Sequence, residues 1–149
     1  SETEESYHSN VNDDDMVITK MDLEEKLSHS REGLALRTLP NTKEKLAQKY
    51  KPSNTVFFTT DAITFLNDLG IKHLVVDIPS LDRTNDNGML GNHHRYFEAK
   101  PPFKKTITEL AFIPDSLDDG LYFMVIEIPP MLLDAAPSRP FLFKFKGKK

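Results

Sequence analysis

Apolar and polar positions change rhythm several times along this chain. Residues 1–15 are polar and acidic and close on Asp13-Asp14-Asp15. They hold almost no core-forming side chains, which predicts a loop or a poorly ordered arm. Met16-Val17-Ile18 is a short apolar run that suits a strand. The stretch from Asp22 to Leu27 sets Leu23 and Leu27 at i and i+4, the spacing of a short helix. Gly33 to Thr38 reads as a strand stopped by Leu39-Pro40-Asn41. Lys43 to Tyr50 reads as a charged loop or helical surface stretch, Lys51-Pro52-Ser53-Asn54 as a turn cluster, and Val56-Phe57-Phe58 as a second short strand.

The clearest helix follows. Thr60 suits an N-cap, and Asp61 places its charge in the first turn, where it complements the helix dipole. Ala62, Phe65, Leu66 and Leu69 recur on one apolar face, and Gly70 stands where such a helix stops. Ile71 to Asp77 then reads as a strand, so residues 55–77 form strand, helix, strand, the unit of α/β architecture. Residues 79–105, with Pro79, Gly88, Gly91, Pro101 and Pro102, read as loop-rich. Thr106 to Ile113 and Leu121 to Ile128 read as late strands joined by turn residues 114–120. Pro129 to Pro140 is Pro-rich and leads into a final strand, Phe141 to Phe145. The fold class that follows is α/β with a mixed sheet and few helices.

Composition narrows the function classes. The 149 residues fit one domain and can bury a core without staples. A net charge of -4 argues against non-specific nucleic-acid binding. The basic end, Phe145 to Lys149, reads as a solvated terminus. The absence of cysteine removes disulfides, a Cys nucleophile and thiolate metal sites. No apolar run approaches the roughly 18 residues of a membrane span. Residues 1–10 have neither the basic nor the apolar region of a signal peptide. A soluble, by default cytoplasmic protein is expected; the chain starts on Ser1, so an upstream segment stays open.

Few residues carry candidate chemistry. Asp77 ends an apolar strand and is followed by Ser80 and Asp82, and strand carboxyl ends in α/β folds commonly bear functional groups. These groups suit the support of a metal or base. They equally suit the backbone of a tight turn beside Pro79. His93-His94 offers imidazole ligands, although adjacent residues on a regular element point different ways. Glu109 lies within the apolar run 106–113, where Ile107 and Ala111 would share its face. Burying its charge there calls for a metal or a cation. His8 and His29 lie in polar stretches, and His73 at a strand start reads as structural. The chain contains no HxxxH, H-E-x-x-H, P-loop, G-x-G-x-x-G or G-x-S-x-G pattern.

Taken together these stretches resemble the cyclase family of metal-dependent hydrolases, which includes bacterial kynurenine formamidase. Gly70 to Arg83 looks like the family's strand and D-x-P-S-x-D turn. Asn92-His93-His94-Arg95 resembles its ligand-His segment and Thr106 to Leu110 its ligand-Glu segment. Residues 37–41 and 134–140 resemble further stretches of one branch. The resemblance spans roughly residues 16–145 and covers the C-terminal half of the family's domain. It implies a layered β/β/α fold, incomplete here, with residues 16–149 forming that half-domain and 1–15 the arm. It implies metal ligation by His93 and Glu109, with His94 the less favoured ligand, and support from Asp77, Ser80 and Asp82. The metal would be Zn²⁺ or Mn²⁺, and the substrate a small molecule with an amide, formamide, or cyclic amide or ester bond. The family's H-x-G-T-H-x-D-x-P-x-H signature, with its catalytic His, is not in this chain. A partner is therefore expected, either the N-terminal half of the same domain or a companion chain, and homo-oligomers are implied. The isolated chain is expected to be inactive. The alternative is a non-catalytic subunit or binding module that keeps the scaffold.

Overall fold

Three parallel strand pairings set the frame of the computed structural model, which describes residues 11–27, 29, 31–51, 55–98 and 104–145. Residues 1–10 of the expected arm, the turn residues 52–54, Pro101, Pro102 and the basic end 146–149 lie outside the described residues. Strand β1 (Met16–Ile18) pairs in parallel with β3 (Val56–Phe58). Strands β2 (Gly33–Leu36), β4 (His73–Val76) and β5 (Thr106–Thr108) form a parallel sheet in the order β2-β4-β5. Strands β6 (Tyr122–Glu127) and β7 (Arg139–Lys144) form an antiparallel pair.

The central strand β4 shows why the layers stack as they do. Leu74, Val75 and Val76 are all buried, as expected of a parallel strand covered on both faces. Leu74 and Val76 face one way. They join Leu23 of helix α1 (Lys20–Glu24), Ala62, Ile63 and Leu66 of helix α2 (Thr60–Asp68) and Tyr96 of helix α3 (Gly91–Glu98) in the core. Gly33 and Val75 face the other way. There a Cβ on Gly33 would collide with the Met124 side chain of β6, and Thr108 meets Ser138 through their hydroxyls at 3.0 Å. Helices, parallel sheet and hairpin thus form three layers, the mixed α/β arrangement expected from the sequence.

The local details refine the sequence reading at several points and correct it at some. Thr19 caps α1 in a reciprocal box: its hydroxyl accepts the Asp22 N–H at 3.3 Å, and the Asp22 carboxylate accepts the Thr19 N–H at 2.8 Å. Thr59, not Thr60, is the N-cap residue of α2. Its buried face includes Ile63, while Phe65 and Leu69 are only partly buried. Residues 43–47 form a short 3-10 helix. The strand predicted over 106–113 stops at Thr108, and Leu110 adopts φ 56°, which turns the backbone. Residues 91–98, expected in a loop, are α3. Among the described residues no helix is long and apolar enough to cross a membrane.

Candidate metal centre

The start of α3 is built around one buried carboxylate. A helix leaves its first N–H groups without internal partners. Asp82, only 2% exposed, accepts the Asn92 N–H at 2.6 Å and the His93 N–H at 3.3 Å. Its negative charge also suits the helix N-terminus. Asp82 is itself aimed by the preceding turn, where Ser80 Oγ accepts the Asp82 N–H at 3.1 Å. Asp86 steadies the approach to the helix by accepting the N–H groups of Gly88 and Leu90 at 2.8 and 2.7 Å. These capping bonds turn a Gly- and Asn-rich stretch into a helix.

His93 occupies the focus of this arrangement. Its Nδ1 lies 2.5 Å from Asp82 Oδ2, and its Nε2 lies 3.4 Å from Glu109 Oε1. Glu109 in turn accepts the Leu81 N–H at 3.0 Å. The turn at Leu110 is what frees Glu109 from the strand alternation with Ile107 and Ala111 and lets it face His93. The Asp82 hydrogen bond, then that of Glu109, push the His93 pKa up to about 9 against the opposing effect of burial. For Asp82, burial acts to raise its pKa. The hydrogen bonds from His93 and Asn92 outweigh it and hold the carboxyl below its ordinary range.

This coupling has a measurable consequence in the metal-free protein. The folded His93 pKa stands above the unfolded value of 6.5. Its stabilisation is therefore fully present below pH 6.5 and is lost as pH rises through about 9. Allowing for the ring's partial exposure, urea unfolding at pH 6 and pH 9.5 should differ by about 2 kcal/mol, lower at the higher pH. His93→Gln should flatten that difference, and a variant as pH-dependent as the parent would assign the effect to another group.

The other sequence candidates separate. Asp77 is 4% exposed and is engaged by the Thr38 N–H at 2.9 Å and by Lys45 Nζ at 2.7 Å. It belongs to a buried ion pair, apart from the His93 cluster. Ser80 serves the turn through Asp82. His94 points outward and pairs with Glu98 at 3.7 Å. His73 holds Thr106 across the β4–β5 pairing at 3.0 Å, the structural role read from its position.

Two residues that the sequence reading passed over matter here. Lys45 neutralises Asp77. Asn92, 2% exposed, donates to the carbonyls of Phe58 and Leu81 at 2.7 and 2.9 Å, tying α3 to β3 and to the 77–82 turn. Asparagine beside Gly91 is a helix-start signal as much as a loop signal, but its partners are remote in sequence.

The donor set suits a divalent metal at one edge of the imidazole. Asp82 fixes Nδ1, which leaves Nε2 directed toward the Glu109 carboxylate. A carboxylate that orients a histidine through its second nitrogen is the usual support of a metal ligand. Asp82 and Glu109 flank opposite ring nitrogens and cannot converge on one ion. Consistent with that, no group of three or more metal-binding side chains converges among the described residues.

No family model matches the chain, and no curated protein matches it. Solved structures do. One described as a potential metal-dependent hydrolase with cyclase activity superposes with a TM-score of 0.64 at 25% identity, over 89% of this chain and 61% of that one. A predicted metal-dependent hydrolase from Bacillus stearothermophilus gives a TM-score of 0.59 at 23% identity, over 88% of this chain and 58% of that one. The chain thus spans about three fifths of the length of each. The layered α/β structure and these superpositions together identify its fold as that of the cyclase-family metal-dependent hydrolases, present here in part.

Proposed function

We propose that this chain is part of a metal-dependent hydrolase domain and supplies two of its metal ligands, His93 Nε2 and Glu109. The observation that carries the reading is the Asp82–His93–Glu109 line within a fold shared with such hydrolases. Asp82 holds the His93 Nδ1 proton, so Nε2 presents its lone pair for ligation once the ring is neutral. Glu109 is held by the Leu81 N–H and contributes the charged oxygen. When bound, a divalent metal such as Zn²⁺ or Mn²⁺ supplies Lewis acidity and an acidified water. The substrate class is a small molecule with an amide, formamide, or cyclic amide or ester bond, hydrolysed at C–N or C–O as in arylformamidases.

Catalytic zinc usually takes three protein ligands, so the remaining ligands and the general base come from the rest of the domain or a companion chain. The assembled enzyme is a homo-oligomer in this reading, and the chain alone binds metal weakly and does not turn over. The second reading is a non-catalytic module that keeps the scaffold. A companion or contiguous segment bearing H-x-G-T-H-x-D-x-P-x-H separates the two.

The test is calorimetric titration with Zn²⁺ at pH 8 of the parent and of His93→Ala/Glu109→Ala. The parent should show one weak site, and the double variant should bind about tenfold or more weakly. Equal affinity in both would remove these residues from the metal site.

A further inference from the structure

Two asparagine side chains anchor helix α3. Asn67 of α2 donates from Nδ2 to the Arg95 carbonyl at 2.9 Å, beyond the first turn of the helix. Asn92 anchors the first turn itself, donating from Nδ2 to the carbonyls of Phe58 and Leu81 at 2.7 and 2.9 Å. The Phe58 N–H donates to the same Leu81 carbonyl at 3.1 Å. Asn92 thus closes a junction of β3, the 77–82 turn and the start of α3. Leu81 serves both candidate ligands there. Its N–H holds Glu109 Oε1 at 3.0 Å, and its carbonyl holds residue 92, the neighbour of His93.

The Asn92 amide has one usable orientation. The residue is 2% exposed, and its Oδ1 is buried with no hydrogen-bond partner among the described residues. Turning the amide over would set that oxygen against two carbonyl oxygens and lose both donated bonds, so the position requires a double donor. Asp82 controls a different freedom. Its Oδ2, 2.5 Å from His93 Nδ1, sets the rotation of the ring. Asn92 sets where the helix start, and with it the ring, stands relative to Glu109.

We propose that Asn92 is the positioning residue of this centre. By fastening the start of α3 to Phe58 and Leu81 it fixes the separation of His93 Nε2 and Glu109 Oε1, 3.4 Å in this structure. This rests on the reading of those two groups as metal ligands and names the residue that spaces them. Ligand constellations tolerate displacements of only about 0.5 Å, and groups that orient ligands contribute about tenfold to a hundredfold in metal affinity.

The experiment compares the whole chain with Asn92→Ala, the milder Asn92→Ser, and Asn67→Ala, which removes the other anchor of the same helix. Proton NMR of the metal-free chain at pH 7 follows two signals. One is the His93 Hδ1 resonance in the short bond to Asp82, and the other is exchange of the Leu81 amide that donates to Glu109. Asn92→Ala should broaden the first and speed the second at least about tenfold. Asn92→Ser, with one donor left, should fall between, and Asn67→Ala should leave both as in the parent. Calorimetric Zn²⁺ affinity should follow the same order, about tenfold weaker in Asn92→Ala and unchanged in Asn67→Ala. Amide protection in β4 reports that a variant is folded, and Asn92→Ser carries the comparison if Asn92→Ala is not.

Parent-like signals in the Asn92 variants overturn the proposal. Losses matched by Asn67→Ala also overturn it, because they make the effect one of general helix anchoring. Zinc bound equally by the parent and Asn92→Ala removes the positioning role and keeps the metal reading. A parent chain without zinc affinity removes the metal reading alone, since the metal-free signals still decide whether Asn92 spaces the two side chains.

Discussion

Lys45→Met is expected to destabilise the protein by about 3–5 kcal/mol, because it leaves a buried carboxylate without its countercharge. The Asp77 side chain is 2% exposed and Lys45 14%, with 2.7 Å between Nζ and Oδ2. Lys45 also donates to the Thr38 carbonyl at 2.5 Å and to its hydroxyl at 2.9 Å. Replacing it takes a charged donor from three acceptors at once. The Thr38 N–H and hydroxyl would still donate to Asp77, but neither carries charge. Asp77→Asn keeps an acceptor for the Thr38 N–H and removes the charge. Lys45→Met/Asp77→Asn should therefore recover a large part of the loss. Urea unfolding of the two variants decides the matter. A cost below about 1 kcal/mol for the single variant, the scale of an exposed pair, would mean that water reaches Asp77 when Lys45 is gone.

Asp82→Ala should cost about 3 kcal/mol near pH 6 through two losses. The first is the helix cap, worth about 1 kcal/mol, with the Asn92 and His93 N–H groups left to find other acceptors. The second is the charge-assisted bond to His93, worth about 1.5–3 kcal/mol. The second loss has its own signature. His93 keeps Glu109 alone, so its pKa falls from about 9 toward 6.5, and the stability difference between pH 6 and 9.5 shrinks. A purely structural cap would lower stability equally at both pH values. Asp82→Asn separates the contributions, since the amide oxygen can still cap α3 while the charge beside His93 is gone. Zn²⁺ affinity of a competent metal centre should also fall about tenfold to a hundredfold in Asp82→Ala, as for other residues that orient a ligand histidine.

Short-range patterns determined much of this protein. The runs Met16–Ile18 and Val56–Phe58 and the helix with Ala62 and Leu66 were legible because apolar spacing and turn residues act within a few positions. The family resemblance was legible in the order of the D-x-P-S-x-D turn, the His93 segment and the Glu109 segment, and the shared fold agrees with it. Tertiary structure decided what depends on residues distant in sequence. Helix α3 forms where Gly88 and Gly91 suggest a loop, because Asp82, ten positions before Asn92, supplies its cap. Glu109 meets His93 because the backbone turns at Leu110, whose positive φ no side-chain pattern announces. Asp77 and Asp82, five residues apart and alike on paper, parted company because one lies within reach of Lys45 and the other beneath a helix start. A sequence records which groups are available; which charge each buried carboxylate meets is fixed only by the packing that brings remote segments within hydrogen-bonding distance.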